Sequence, residues 1–520
     1  MAPTFRPERR RVLHGLLAAG ALPLTHGLAA AQSGAALLRL PRHALVIGNS
    51  KYQETPLRNP ANDARVLGEE LKRAGFEVAQ HLDATREQML QAIEAHAAYL
   101  AKRNAIGLFY FAGHGAQLAW RNYLIPVDAV IEKLEDVQAR AVELNTLLQG
   151  LTRAKNPMNV IILDACRDNP FGTRVPTEQK GLSQFDAPLS SLLAYATSPG
   201  NVASDGEGAN GLYTESLVRE LKVPEAKIED VFKRVRLSVR RRSQGQQIPW
   251  ESTSLEEDFY FLPPKELKKL AEAEATREFE TELATWEKIK AANDPAPLED
   301  YLRRYPSGRF SELAQLRLDQ VLARQGEKKI TIASSVQNPF SKGTAVADIN
   351  RKVGDSYTYG VLDLYTKLER EKFTQTITQV TETEVVYDNG AITDLLGNDL
   401  RYRDGRRTTG FQVWGVDYSI GKHWTTRGKV TQVGGNVVQV EVDVRVVARE
   451  KVTVPAGTFD AFRLEASGWA AGSGFNTQLQ SKRWIAPDQL RSSIAYEAVR
   501  RSGSRVVLAE REELVSYKQS

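Results

Sequence analysis

Hydrophobic and polar positions follow two different periods along this chain of 520 residues. In its first half, short apolar runs alternate with segments whose apolar residues recur every three to four positions, a pattern that predicts strands and amphipathic helices in turn. The predicted strands are 44–48, 76–79, 106–111, 160–163, 192–197 and 258–262, and the predicted helices are 62–74, 85–102, 144–153, 212–221 and 228–241. This alternation indicates an α/β domain over residues 40–262, with a mostly parallel sheet and helices on both faces.

The pattern changes after Pro263-Pro264, where an Ala/Glu/Lys-rich stretch begins. Residues 263–326 read as a small helical linker region. Its Y-L-x-x-Y-P-x-G-x-F segment at 301–310 resembles a single tetratricopeptide-like helical hairpin. One such unit is below the number that usually stacks, so we expect it to dock against a neighbour or a partner, unless it only spaces two domains.

Residues 345–518 alternate between polar and apolar side chains with a period of two. Turn sequences such as Asp388-Asn389-Gly390 separate the alternating runs, which predicts a C-terminal antiparallel β domain, either a barrel or a sandwich. We expect its tryptophans to be core residues rather than a platform for a ligand; they are Trp414, Trp424 and Trp484.

The first 31 residues have the layout of a secretory signal peptide. Arg9-Arg10-Arg11 precedes a mildly apolar segment, Leu16 to Leu28, and Ala29-Ala30-Ala31 follows it. The paired arginines resemble those of a twin-arginine signal. No other run is apolar enough to span a bilayer, so we expect a periplasmic or secreted protein without an integral membrane span.

Net charge excludes one class of partner. The formal charge is +5 at neutral pH, and the signal segment contributes more than half of it, with four arginines against one glutamate. The remaining balance is too small to indicate binding to nucleic acid.

One predicted helix carries a run of arginines at Arg234, Arg236 and 240–242. We expect this run to be a solvated face of the helix.

Two chemically distinctive residues follow predicted strands. Cys166, the only cysteine, comes just after 160–163, and His114 lies between Gly113 and Gly115 after 106–111. A lone thiol is either a small buried hydrophobe or a nucleophile. Because the carboxyl ends of parallel strands meet at one edge, the fold can bring the imidazole to the thiol as its base. The backbone amides of Gly115 and Cys166 are candidates to bind an oxyanion.

Other chemistries lack support in the sequence. There is no H-E-x-x-H, no G-x-S-x-G and no phosphate loop, so we expect neither a metal ion nor a cofactor.

Several segments resemble motifs of the caspase-like cysteine peptidases, and most closely the bacterial metacaspase-like (orthocaspase) branch. They are F-Y-F-A-G-H-G at 109–115, I-L-D-A-C-R at 162–167, L-R-N-P-A-N-D-A at 57–64, N-Y-L-I-P-V-D at 122–128 and G-Q-Q-I-P-W at 245–250. The resemblance covers about Arg42 to Pro263. It implies a caspase-like fold and a cysteine endopeptidase acting on a protein or peptide, with His114 as general base and Cys166 as nucleophile.

The resemblance also implies a specificity. In metacaspases, two aspartates line an acidic primary pocket, and Asp63 and Asp164 occupy the matching positions. Two carboxylates in a cleft select Arg or Lys and repel Asp. For Asp63 the alternative is a carboxylate in the first turn of a helix, which the dipole favours. Self-cleavage in the polar loop after the cysteine would use Arg174 or Lys180, unless this is an ordinary exposed loop.

Two other functions stay open. The caspase-like fold could be a catalytically silent scaffold or binding protein of the cell envelope, because a fold alone does not establish activity. The same pair of residues could instead hydrolyse a non-protein acyl bond. The β-rich domain is a candidate to bind an envelope partner.

Overall fold

The structure is a computed structural model that describes residues 37–166, 171, 182–198, 208–265, 272–327, 338, 341–472 and 474–520. The predicted signal peptide, Arg174 and Lys180 lie outside the described residues.

The first domain is an α/β domain. Its strands are β1 (Arg42–Gly48), β2 (Glu77–Leu82), β3 (Ile106–Leu118), β4 (Arg121–Leu124), β5 (Val142–Glu143), β6 (Asn159–Cys166), β7 (Ser191–Tyr195) and β8 (Trp250–Thr253). Its helices are α1 (Pro60–Arg73), α2 (Arg86–Arg103), α3 (Leu134–Arg140), α4 (Leu144–Ala154), α5 (Leu212–Leu221) and α6 (Ile228–Arg242).

The main sheet has the order β2-β1-β3-β6-β7-β8. All neighbours pair in parallel except β8, which is antiparallel to β7. Successive strand residues alternate between two buried clusters, so that Leu108 packs on one face of the sheet and Phe109 on the other. The mostly parallel sheet with helices on both faces is therefore confirmed.

Local sequence accounts for several boundaries. The helix predicted from residue 85 begins with a capping box, in which Thr85 and Gln88 bond to each other's backbone. Gly75 follows α1 with φ +84°, a left-handed conformation that favours glycine.

The prediction of a sixth strand at 258–262 is wrong, because β8 occupies that place in the sheet. Phe259 and Phe261 are buried in the core, and the guanidinium of Arg42 lies 5.0 Å from the centre of the Phe259 ring. Tyr260 makes only an isolated bridge to Lys227. These aromatic residues anchor the chain by packing, whereas the pattern of apolar residues alone suggests a strand.

Three helices form the middle region: α7 (Glu272–Ile289), α8 (Pro295–Arg304) and α9 (Ser311–Arg324). They share a core in which Trp286 stacks on Phe310 with 5.7 Å between the ring centres. Leu237 of α6 belongs to the same core, so the helical region docks on the first domain. No helix in the described part of the chain is long and apolar enough to cross a membrane.

The expectation of a solvated basic face on α6 is wrong for two arginines. Arg240 is 9% exposed, donates to both carboxylate oxygens of Glu327 at 3.0 and 2.8 Å and pairs with Asp319. Arg236 pairs with Glu251 of β8. The basic run therefore joins α6 to the edge of the sheet and to the helical region.

The C-terminal region is an antiparallel closed barrel, with twelve strands in the described part of 356–518. They are β10 (Ser356–Asp363), β11 (Glu369–Val380), β12 (Glu384–Tyr387), β13 (Ile392–Asp394), β14 (Asp399–Arg401), β15 (Arg407–Thr409), β17 (His423–Thr431), β18 (Val437–Val454), β19 (Gly457–Gly472), β20 (Phe475–Ile485), β21 (Ser493–Ser502) and β22 (Arg505–Lys518). A separate two-stranded sheet joins β9 (Thr344–Val346) to β16 (Asp417–Ser419).

The predicted hairpin at Asp388-Asn389-Gly390 connects β12 to β13. Trp484 is buried, while Trp414 and Trp424 are half-buried against a hydrophobic cluster of the barrel.

Candidate active site

The first domain places His114 and Cys166 side by side on neighbouring strands. Cys166 ends β6, whereas His114 lies inside β3, which continues to Leu118, and not just past a strand end as predicted. Parallel pairing of β3 with β6 sets Ala112 opposite Asp164, Gly113 opposite Ala165 and His114 opposite Cys166. The backbone of Cys166 is described, and its thiol lies outside the described atoms. The register therefore makes the two residues singled out in the sequence direct neighbours across the sheet.

A loop carbonyl orients the imidazole of His114. Nε2 of the ring lies 2.7 Å from the carbonyl oxygen of Thr55 and 3.0 Å from Thr55 Oγ1. Because a carbonyl oxygen can only accept, Nε2 carries the proton in this contact and Nδ1 is the basic nitrogen of the neutral ring. The histidine is 6% exposed, so the protein rather than solvent sets its orientation.

The backbone at His114 is held by Tyr52. The His114 amide donates to Tyr52 Oη at 2.9 Å, and this hydroxyl donates to the Ile125 carbonyl at 3.0 Å. The two rings lie 4.4 Å apart. Gly113 has φ +153°, and a Cβ there would come within 2.5 Å of Tyr52 Oη. Glycine is therefore required for this close approach.

The backbone amide of Gly115 lies next to the end of β6. The Ile125 amide donates to the His114 carbonyl at 3.0 Å, which makes Gly115 and Leu124 a non-hydrogen-bonded pair of the antiparallel ladder. The Gly115 N–H thus points away from β4. A Cβ at Gly115 would lie 3.0 Å from both Ala165 Cβ and a methyl group of Leu182. The oxyanion role of Gly115 and Cys166 stays a prediction.

Two hydroxyl groups hold the Asp164 carboxylate, which comes two residues before the cysteine. Its Oδ2 accepts from Thr214 Oγ1 at 2.7 Å and from Tyr110 Oη at 3.3 Å. Burial and the negative charges of Asp164 and Asp63 raise the pKa of Tyr110 well above its ordinary value. The phenol therefore stays protonated and able to donate.

Asp63 reaches the same place from the first turn of α1. Its Oδ1 accepts from the Gly211 amide at 3.0 Å and from Asn210 Nδ2 at 2.8 Å. A Cβ built on Gly211 would lie 3.1 Å from Asp63 Oδ2 and 4.0 Å from Asp164 Oδ2. Both carboxylates therefore border Gly211, and their role in a substrate pocket stays a prediction. The helix-dipole interpretation of Asp63 is compatible with this position.

Sequence reasoning missed four residues of the site: Tyr52, Thr55, Tyr110 and Thr214. Thr55 acts mainly through its carbonyl oxygen, a group that every residue has, so no pattern marks it. Tyr110 lies in an apolar strand and Thr214 in a helix. In neither element does the local sequence show which residue such a polar side chain contacts. Among the described residues, no three His, Cys, Asp or Glu side chains are grouped to hold a metal ion.

A parallel sheet with histidine and cysteine side by side on adjacent strands is the arrangement of a caspase-like fold. Residues 41–260 match the family model described as Caspase domain, which supports a caspase-like family for this segment of the chain.

Two curated relatives each match part of the chain. One is the human mucosa-associated lymphoid tissue lymphoma translocation protein 1, 29% identical over 179 residues, which is 34% of this chain and 21% of the relative. The other is its homolog from Mus musculus, with the same identity and coverage. The chain thus spans about a fifth of the length of these relatives.

Proposed function

We propose that residues 41–260 form a cysteine endopeptidase that hydrolyses peptide bonds after Arg or Lys. The observation that carries the proposal is the pair of carboxylates at Gly211, one of them two residues before Cys166. Two negative charges attract a guanidinium or ammonium group and repel an acidic side chain. The family match supports a cysteine peptidase acting on protein substrates.

In the proposed reaction, His114 Nδ1 takes the thiol proton and the Cys166 sulfur attacks the scissile carbonyl carbon. The amides of Gly115 and Cys166 hold the oxyanion that forms. Collapse of this intermediate breaks the C–N bond, and the imidazolium gives its proton to the leaving amine. Water then hydrolyses the thioester with His114 again as base. The Thr55 carbonyl stabilises the imidazolium in each step because Nε2–H donates to it.

A substrate series tests the specificity. Fluorogenic peptides ending in Arg, Lys, citrulline and Asp differ mainly in the charge of one side chain. We expect turnover after Arg and Lys only. Asp164→Asn should lower kcat/KM for the Arg peptide by about 10- to 100-fold, since a hydrogen bond to a charged group contributes about 1.5–3 kcal/mol. Glu94→Gln, an exposed site on α2, is the control. Preferential cleavage after Asp contradicts the acidic pocket.

Removal of the nucleophile separates the proposal from a silent scaffold. We expect Cys166→Ala and His114→Ala to lose peptidase activity while the melting temperature stays near that of the parent. Parental activity in Cys166→Ala would make the nucleophile assignment wrong. A wild-type chain that cleaves none of the peptides would favour the scaffold, and hydrolysis of a non-peptide thioester alone would favour the other acyl chemistry.

We also propose export and self-processing. The twin-arginine-like segment should direct the chain to the periplasm, with cleavage after Ala31, and Arg174 or Lys180 should be cut in wild type but remain intact in Cys166→Ala. Mass spectrometry of protein from a periplasmic fraction measures both. An intact residue 1 there, or equal internal cleavage in both variants, contradicts these proposals.

An envelope partner for the barrel is a further proposal, tested by whether the barrel cofractionates with the envelope.

A further inference from the structure

A row of polar residues lies on the inner face of the C-terminal barrel. Arg483 of β20 is opposite Tyr496 of β21, which is opposite Glu512 of β22. Residues opposed in an antiparallel ladder point to the same face. The same row continues into Leu464 on one side and Val361 on the other, both buried. The three polar residues therefore face the interior.

Arg483 is stacked rather than paired. Its guanidinium carbon lies 4.4 Å from the centre of the Tyr496 ring and 5.2 Å from that of Trp414. Its Nε is buried and has no hydrogen-bond partner within the described residues. The two rings hold the guanidinium in place through cation–π contacts, and its N–H groups stay unused by the described protein.

Two carboxyl groups lie within the electrostatic influence of Arg483. They belong to Glu512 and to Asp399 of β14. Burial raises the pKa of Glu512 to about 7 and the pKa of Asp399 to about 6. The positive charge of Arg483 opposes both shifts. In the described part of the chain, neither carboxylate accepts a hydrogen bond or forms an ion pair. Both residues are half-buried.

The outer face of the same strands is different. Arg511, next to Glu512, pairs with Glu513 at 3.1 Å and with Glu497 at 2.7 Å. Arg511, Glu513 and Glu497 are thus paired on the outer face, whereas Arg483, Asp399 and Glu512 form no ion pair with one another or with other described residues on the inner face. Because unpaired charges in a partly buried position cost free energy, a ligand with complementary charges would stabilise the inner cluster.

We propose that the barrel interior binds a small zwitterion of the amino-acid class, whose carboxylate pairs with Arg483 and whose ammonium group lies between Asp399 and Glu512. A metal cation fits less well because the guanidinium repels it, and a simple anion fits less well because the two carboxylates repel it. A planar guanidinium matches a carboxylate in a bidentate pair. Trp414 and Tyr496 provide flat walls for the carbon skeleton. A free amino acid and a short peptide with free termini share this chemistry.

Calorimetric titration of the full chain tests the proposal. The ligands are L-leucine, glycyl-L-leucine, N-acetyl-L-leucine, which lacks the ammonium group, and L-leucine amide, which lacks the carboxylate. We expect saturable binding of at least one zwitterion and at least about tenfold weaker binding of both blocked forms, the loss of one charge-assisted bond. The stronger zwitterion identifies the source as free amino acid or peptide.

Matched variants locate the site. Glu512→Gln and Arg483→Gln should each weaken binding by about tenfold or more. Glu513→Gln and Lys482→Gln, the neighbours on the outer face, should leave the affinity unchanged. The melting temperature of each variant checks its folding. Glu512→Gln should not lower the melting temperature, because this substitution removes an unpaired charge. Absence of zwitterion binding, equal binding of the blocked forms, or equal losses in the outer-face variants would overturn the proposal.

Discussion

Removal of the Tyr52 hydroxyl should disturb the candidate catalytic residue His114 without changing its imidazole ring. Tyr52→Phe keeps the aromatic ring 4.4 Å from the imidazole but removes the Oη that accepts from the His114 amide at 2.9 Å. The other partner of this hydroxyl, the Ile125 carbonyl, keeps a donor in Asn49 Nδ2 at 3.3 Å. The cost is therefore mainly one orphaned buried N–H, about 1–3 kcal/mol of the free energy of unfolding.

The same loss should reach the reaction. The His114 amide is fixed at the point where β3 passes Gly113, so a shift there tilts the ring out of its position beside β6. We expect kcat on an Arg peptide to fall by about tenfold, or roughly 1.4 kcal/mol in activation free energy, with KM nearly unchanged. Melting temperature and steady-state kinetics measure both effects.

A matched variant controls for the substitution itself. Tyr99→Phe removes a hydroxyl that donates to Glu77 at 2.6 Å on the exposed side of α2, where such bonds contribute little. Tyr99→Phe should change neither the melting temperature nor kcat appreciably. If Tyr52→Phe keeps kcat within about twofold of the parent, the idea that Tyr52 positions His114 is refuted.

Other contacts lead to three more predictions. Thr55→Val keeps the carbonyl that faces His114 and loses only Oγ1, so kcat should stay within about threefold; a loss above tenfold would assign the orienting role to the hydroxyl. Arg240→Gln should lower the melting temperature strongly, because breaking a buried ion pair costs about 3–5 kcal/mol, whereas the exposed Arg242→Gln should cost less than about 1 kcal/mol; equal thermal shifts contradict this. Burial, and then the charge of His43, lower the pKa of His96 to about 3, below the unfolded value near 6.5, so protonation favours the unfolded chain. This stability is complete above about pH 6.5 and is lost as pH falls toward 3, by about 2 kcal/mol at pH 5; a melting temperature that falls as steeply in His96→Phe as in the parent refutes the assignment.

Much of the first domain could be predicted because its strands are short apolar runs between amphipathic helices. The edge strand β8 could not, since W-E-S-T at 250–253 is less apolar than F-Y-F-L at 259–262. Pairing with β7 makes 250–253 a strand, whereas 259–262 is held by the packing of Phe259 and Phe261 in the core. Long-range contacts overrode local pattern in both places.

The basic run on α6 shows the same limit for charges. Two of its arginines form the solvent-side pairs that a charge run predicts, but the partners of Arg236 and Arg240 come from residues 251, 319 and 327. Those partners are distant in sequence from α6, and only the docked helical region brings the last two within reach. A charge run can therefore become an internal junction without any change in its local pattern.

The docked regions also bear on the active site. Asp186 follows the segment whose Leu182 contacts Gly115, and its carboxylate accepts from the Gly343 amide and from Thr344 Oγ1, each at 2.6 Å. Burial raises the pKa of Asp186, and these two hydrogen bonds oppose the shift. The edge of the C-terminal region therefore holds one end of the chain that leads away from Cys166. Because Leu182 of the same segment lies beside Gly115, this contact links the C-terminal region to the backbone next to His114.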